Sequence, residues 1–220
     1  MSITNNLSQI KASLPAHVTL VAVSKTWPVA DLMEAYNAGQ RIFGENKVQE
    51  MTEKWEQMPK DIQWHMIGHV QTNKVKYMVP FVSLIHGVDS LKLLIEINRQ
   101  AARYRKVIDC LLQIHIAEED TKFGLSEEEL DTLLASDEFK QMENIRITGL
   151  MGMATFTDSE PQVTGEFSHL KAIFNRLSEQ PSTVNCQLST LSMGMSGDYN
   201  IAITCGSNMV RIGSSIFGNR

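Results

Sequence analysis

Lys25 closes the run Val18-Thr-Leu-Val-Ala-Val-Ser24, a nearly unbroken apolar stretch. Most other lysines stand in polar helical surroundings, such as Glu53-Lys54 or Asn73-Lys74-Val-Lys76, and are expected on solvated faces. An ammonium brought to the end of a packed strand is partly desolvated, which favours its neutral form. A neutral amine is the form that condenses with an aldehyde, although a strand-end lysine can also simply reach out to water. A second kind of chemistry sits near the C-terminus, in Ser192-Met-Gly-Met-Ser-Gly-Asp198 and Arg211-Ile-Gly-Ser-Ser215. Glycines let backbone N–H groups approach an anion, serine hydroxyls donate, and a following helix start favours negative charge. A reactive amine and an anion grip together suit a phosphorylated aldehyde.

The elements that must position these residues alternate between strand and helix. Strand-like runs fall at Val18–Ser24, Arg41–Gly44, Ile62–Gly68, Val82–His86, Asp109–Ile116, Ile145–Met151, Gln187–Ser192 and Met209–Ile212. Helical patterns stand between them: 3–13, from Pro28 to Gly39, Lys47–Met58, Thr72–Met78, Ser90–Tyr104, Gln162–Ser178 and Tyr199–Thr204. The helix after the fifth run opens with Ser126-Glu-Glu-Glu129, a capping-box pattern, and Ser214–Phe217 begins a last turn. Eight strand–helix units predict a single (β/α)8 barrel of the TIM type, with an open doubly wound sheet as the alternative. No linker or repeat divides residues 1–220, so one domain is expected. In such a barrel the reactive residues lie just after the strand C-termini, and phosphate is often held after strands seven and eight. That rule collects Ser24, Lys25, Glu45, Asn46, His69, the Met151–Ala154 and Met193–Gly197 segments, Gly213 and Ser214. Pyridoxal 5′-phosphate fits the arrangement, and so does a sugar-phosphate substrate of a lysine-dependent aldolase. Residue types alone do not separate the two.

Ordered motifs along almost the whole chain do. The segments Val21-Ala-Val-Ser-Lys25, Phe43-Gly-Glu-Asn46-Lys-Val-Gln-Glu50, Trp64-His-Met-Ile-Gly-His69-Val-Gln-Thr-Asn-Lys74, Thr121-Lys-Phe-Gly124, Gly149-Leu-Met-Gly-Met153, Leu191-Ser-Met-Gly-Met-Ser196 and Gly206-Ser-Asn-Met-Val-Arg-Ile-Gly213 carry the likeness. The chain resembles the pyridoxal-phosphate homeostasis proteins, which are similar to the N-terminal barrel domain of alanine racemases. The resemblance implies that Lys25 holds the cofactor as a Schiff base and that Ser196, Gly213 and Ser214 form the phosphate cradle. It implies further that Arg211 faces the pyridine nitrogen and that Asn46 lies beside the ring. The chain departs from the family at His115, Gly87 and Asn208, where members often carry Asn, Ser and Thr. None of these positions is the lysine or part of the glycine–hydroxyl pair.

The same resemblance bears on whether the protein is an enzyme. An acidic partner at the ring nitrogen keeps the pyridine protonated and makes the ring a strong electron sink, whereas a permanently charged arginine opposes protonation. Alanine racemases add a tyrosine base at the interface with a C-terminal β domain, and this chain ends seven residues after Gly213. Of Tyr36, Tyr77, Tyr104 and Tyr199, only Tyr199 follows the phosphate loops closely. The expectation is a protein of intracellular cofactor homeostasis that holds or delivers pyridoxal phosphate, possessing no dedicated catalytic residues. A small amino-acid racemase is the runner-up.

Composition bounds the rest. A chain of 220 residues with 43% hydrophobic content supports one large core, and a net charge of −5 without a basic run speaks against nucleic acid. No stretch approaches the roughly 18 apolar residues of a membrane span, and no secretion signal opens the chain. Cys110, Cys186 and Cys205 are widely spaced, which favours packed thiols in a reducing, cytoplasmic setting. His65 and His69 stand four apart but on a strand running into a turn, so no metal site is expected; His69 suits the pocket mouth and His65 the interior. A monomer is expected, with apo-enzymes as candidate recipients of the cofactor.

Overall fold

The computed structural model describes residues 2–119, 123–179 and 185–218. Its strands are β1 (Thr19–Val23), β2 (Ile42–Glu45), β3 (Gln63–Met66), β4 (Val82–Val88), β5 (Ile108–Gln113), β6 (Ile145–Met151), β7 (Cys186–Ser192) and β8 (Met209–Ile212). Around them run α1 (Ile3–Ser13), α2 (Val29–Asn37), α3 (Val48–Gln57), α4 (Val75–Met78), α5 (Leu91–Arg103), α6 (Glu127–Ala135), α7 (Asp137–Lys140), α8 (Glu160–Ser178), α9 (Tyr199–Thr204) and α10 (Ser214–Phe217).

Each strand pairs in parallel with its sequence neighbour, and β1 pairs with β8 through Thr19↔Met209 to Ala22↔Ile212. The sheet is therefore a closed barrel, and the open-sheet alternative is excluded. Closure follows from strands that are apolar on both faces, which need helices outside and side chains inside. Leu20, Ala22, Trp64, Met66, Val210 and Ile212 join the layer between barrel and helices, while Val21, Leu84, Leu111, Met151 and Met209 fill the interior. By the two-residue alternation of a strand, Arg211 and His65 take inward positions beside those outward neighbours.

The capping box forms as the sequence indicates: Ser126 Oγ accepts the Glu129 N–H at 3.1 Å and the Ser126 N–H donates to Glu129 Oε2 at 2.9 Å. The sequence did not separate α7 from α6. Ser136 breaks the helix with extended backbone and then caps the next one by accepting the Phe139 N–H at 3.2 Å. Among the described residues no helix is long and apolar enough to cross a membrane, and Cys110, Cys186 and Cys205 are free thiols.

Two contacts fix α10, whose first residues matter below. Asn6 Nδ2 of α1 donates to the Ile216 carbonyl at 3.0 Å, and Trp27, just after β1, stacks on Phe217 with ring centroids 5.8 Å apart.

Candidate functional site at the barrel mouth

A cavity of about 820 Å³ opens at the strand C-termini. Lys25, Asn46, Ser196, Arg211, Gly213 and Ser214 all line it, so the structure brings together the six residues that the resemblance assigns to the cofactor, whereas Ser24 and Glu45 of the strand-end shortlist are buried outside the lining. His69, Met153 and Met195 line it as well, whereas Met151 and Met193 are buried in the core. Tyr199 packs against the core and is not a lining residue. Of the Thr121–Gly124 motif, Thr121 and Lys122 lie outside the described residues; Phe123 lines the cavity and stacks on His69 at 4.3 Å. His69 Nδ1 in turn meets Asp89 Oδ2 at 2.9 Å.

Lys25 leaves the barrel where β1 ends beside β2 and β8. The next strand over, β8, ends in Gly213, where an added Cβ would stand 3.1 Å from the Val23 carbonyl oxygen. A side chain there would press on Val23, so glycine suits the close approach of these two strand ends. The Gly213 N–H donates to Ser196 Oγ at 3.3 Å, which ties the loop after β7 to the end of β8.

That loop folds on itself. Asp198 Oδ1 accepts the Met195 N–H at 2.6 Å, and the Asp198 and Tyr199 N–H groups both return to the Met195 carbonyl. Gly194 turns the chain with φ +97°, and a Cβ there would fall 2.6 Å from Ala202 Cβ. The outcome is a turn in which, among the described residues, the backbone N–H groups of Ser196 and Gly197 have no acceptor. The N–H groups of Ser214 and Ser215, at the first positions of α10, are in the same condition. Ser196, Gly197 and Ser214 line one side of the cavity, so three of these donors and two serine hydroxyls belong to lining residues and suit an oxyanion.

Arg211 is only 3% exposed. Its Nη1 donates to Ser192 Oγ at 2.7 Å and its Nη2 to the Gly152 carbonyl at 3.0 Å. Burial pulls the guanidinium down to about 10, with Asp198 acting the other way, so the group remains charged at neutral pH. Behind it, Ser192 Oγ meets His86 Nδ1 at 3.1 Å, and His86 Nε2 meets His65 Nδ1 at 3.0 Å. Burial holds His65 near about 3; burial, then His65 and Arg211, hold His86 well below the ordinary range. His65 is interior, as the sequence indicates; the participation of His86 and Ser192 was not visible there.

Lys54 overturns an expectation. Its polar helical surroundings predict a solvated face, but it is 5% exposed and bonds Glu45 Oε1 at 2.7 Å and Glu50 Oε1 at 2.8 Å. The side of α3 that carries it is packed against the barrel, together with Val48 and Met51. The Glu50–Lys54 spacing of four was the available signal.

The fold and the lined mouth define a barrel of the racemase type. The model of the alanine racemase N-terminal domain family matches residues 1–220, and the chain belongs to that family. Its relatives include a protein named pyridoxal phosphate homeostasis protein from Pasteurella multocida, 36% identical, with 100% of this chain and 98% of the relative covered. A relative of the same name from Synechocystis sp. is 39% identical, with 97% and 96% covered. Among solved structures, PipY of Synechococcus elongatus PCC7942, determined with PLP bound, superposes with a TM-score of 0.89 at 33% identity, covering 99% of this chain and 100% of PipY.

Proposed function

We propose that this chain is a pyridoxal 5′-phosphate-binding protein of cofactor homeostasis, holding the cofactor as a Schiff base on Lys25. The observation that carries the reading is the cavity itself: one amine from the end of β1 faces the same space as the unsatisfied N–H donors after β7 and β8. The donors suit a phosphate dianion. The names of the relatives and the PLP-bound PipY structure support the same assignment.

In this reading Ser196, Gly213 and Ser214 hold the phosphate, Asn46 lies beside the ring and Arg211 faces its nitrogen. The cofactor supplies an electrophilic aldehyde carbon and, when its ring is protonated, a sink for electrons. Lys25 supplies the amine. Arg211, charged and fixed by Ser192 and the Gly152 carbonyl, opposes a proton on the atom it faces, which weakens the sink. Holding and delivering the cofactor is therefore favoured over turning over an amino acid. Residues 1–220 then act as one cofactor-binding domain, monomeric and cytoplasmic, with apo-enzymes as recipients; the free thiols agree with a reducing compartment.

The test is a spectrum of the purified protein with added cofactor, followed by borohydride reduction and peptide mapping. A yellow absorbance band and a cofactor mass fixed on Lys25 are expected, both lost in Lys25→Ala. Labelling at another lysine, or robust amino-acid turnover lost in Lys25→Ala, overturns the reading.

A further inference from the structure

Beneath Lys25 lies a group of charged side chains with no part in holding the cofactor as described above. Lys54 Nζ donates to the Ser24 carbonyl at 2.8 Å as well as to Glu45 and Glu50. Glu50 Oε1 also accepts the backbone N–H of Thr26. The Ser24 hydroxyl donates to Glu45 Oε1 at 2.6 Å. The residues immediately before and after Lys25 are thus each gripped by charged side chains from β2 and α3.

The turn needs such a grip. Thr26 has φ +64°, the left-handed region, which is an outlier for a β-branched residue. Conformations of this kind persist only where the surroundings over-determine them. A buried ion group is also a poor source of stability, because desolvation offsets much of its attraction. Glu45 illustrates the point: its Oε2 is buried without a partner, and burial pushes its carboxyl up against the opposing pull of Lys54. The bonds that are made converge on the backbone either side of one residue.

We propose that Glu45, Glu50 and Lys54 are positioning residues that set the 24–26 turn so that the Lys25 amine meets an aldehyde anchored by its phosphate after β7 and β8. This rests on the function proposed above. The step they serve is a condensation: the neutral amine nitrogen adds to the aldehyde carbon, both amine protons leave with the carbonyl oxygen as water, and a C=N bond forms without redox change.

The experiment compares pyridoxal 5′-phosphate with its alcohol analogue pyridoxine 5′-phosphate, which can occupy the phosphate and ring positions but cannot condense. In full-length Glu50→Ala, the yellow band is expected to develop about tenfold more slowly or worse, while affinity for the analogue stays within about twofold of the parent. Glu50→Gln, whose amide oxygen can still accept the Thr26 N–H, is expected to restore most of the rate. Equal rates in parent and Glu50→Ala overturn the positioning role. So does a parallel loss of analogue binding, which marks general damage. Absence of any Lys25 adduct in the parent overturns the reading of the site itself, and this proposal with it. The double variant Glu45→Gln/Lys54→Met is a second probe with the same expectation; should it not fold, the Glu50 pair decides alone.

Discussion

Arg211 and Ser192 are joined by a 2.7 Å hydrogen bond from Nη1 to Oγ, and this bond gives a direction to everything behind it. Arginine only donates, so Ser192 accepts there and has its own proton to give. Passing it to His86 Nδ1 leaves the proton of His86 on Nε2, from which it points at His65 Nδ1. All three bonds of the chain are then made with both rings neutral, and a cation at the head of the chain favours that arrangement.

Acid should weaken the fold through these rings. An unfolded chain takes up protons on His65 and His86 at the ordinary value of 6.5, while the folded chain keeps His65 neutral down to about 3 and His86 neutral as well. The unfolded state therefore binds more protons, and stability falls as the pH drops below about 6.5. The slope approaches about 1.4 kcal/mol per pH unit for each ring. Urea unfolding from pH 7 to 4 should show this decline, and His65→Leu/His86→Leu should flatten it. An equally steep decline in the double variant would assign the effect to other groups.

Removing Lys54 should be expensive. Lys54→Met leaves Glu45 buried without its cation, a loss of roughly 3–5 kcal/mol. Adding Glu45→Leu should recover most of that loss, since an apolar pair replaces a desolvated one. Denaturant titration of both single variants and the double variant measures the coupling.

Ser196→Ala tests the cradle without touching the lysine. The hydroxyl accepts the Gly213 N–H and lines the cavity. Loss of a hydrogen bond to a charged group is worth about 1.5–3 kcal/mol, so affinity for pyridoxine 5′-phosphate should fall by roughly ten- to a hundredfold. Calorimetric titration reads it, and an unchanged affinity removes Ser196 from the cradle.

Gly194→Ala should fail on two counts. A side chain is strained at φ +97°, and its Cβ would meet both Ala202 Cβ at 2.6 Å and Tyr199 Cα at 2.9 Å. The Gly194 carbonyl also accepts the Arg211 N–H at 2.9 Å, so the damage reaches β8. A loss of about 2 kcal/mol or more is expected from thermal unfolding.

The barrel was legible because its strands are buried on both faces and its helices carry their own start signals, such as Ser126. That Lys25, Asn46, Ser196, Arg211, Gly213 and Ser214 share one cavity was legible for a related reason. Once strands are located, barrel geometry fixes which residues emerge at the mouth, and the ordered motifs point to the same ones. Lys54 was not legible, since a lysine on a polar helix goes to water or to the core according to how the helix is rotated against the barrel. Nor were Ser192 and His86. Their meeting with Arg211 across the interior depends on register, and β4 carries an irregularity between Ile85 and Val88 that alternation in the sequence does not reveal.

The pairing of β1 with β8 places the seam of the barrel between the amine and the anion grip. The two halves of the site are supplied by opposite ends of the chain, about 190 residues apart between Lys25 and Ser214, and they become one site only when the last strand docks against the first. A growing polypeptide still lacking β8 would possess the lysine and no means of presenting a partner to it. Under the proposed function, capture of the ligand would report that folding is finished, and by mass action the ligand would staple the one junction that local contacts cannot form early.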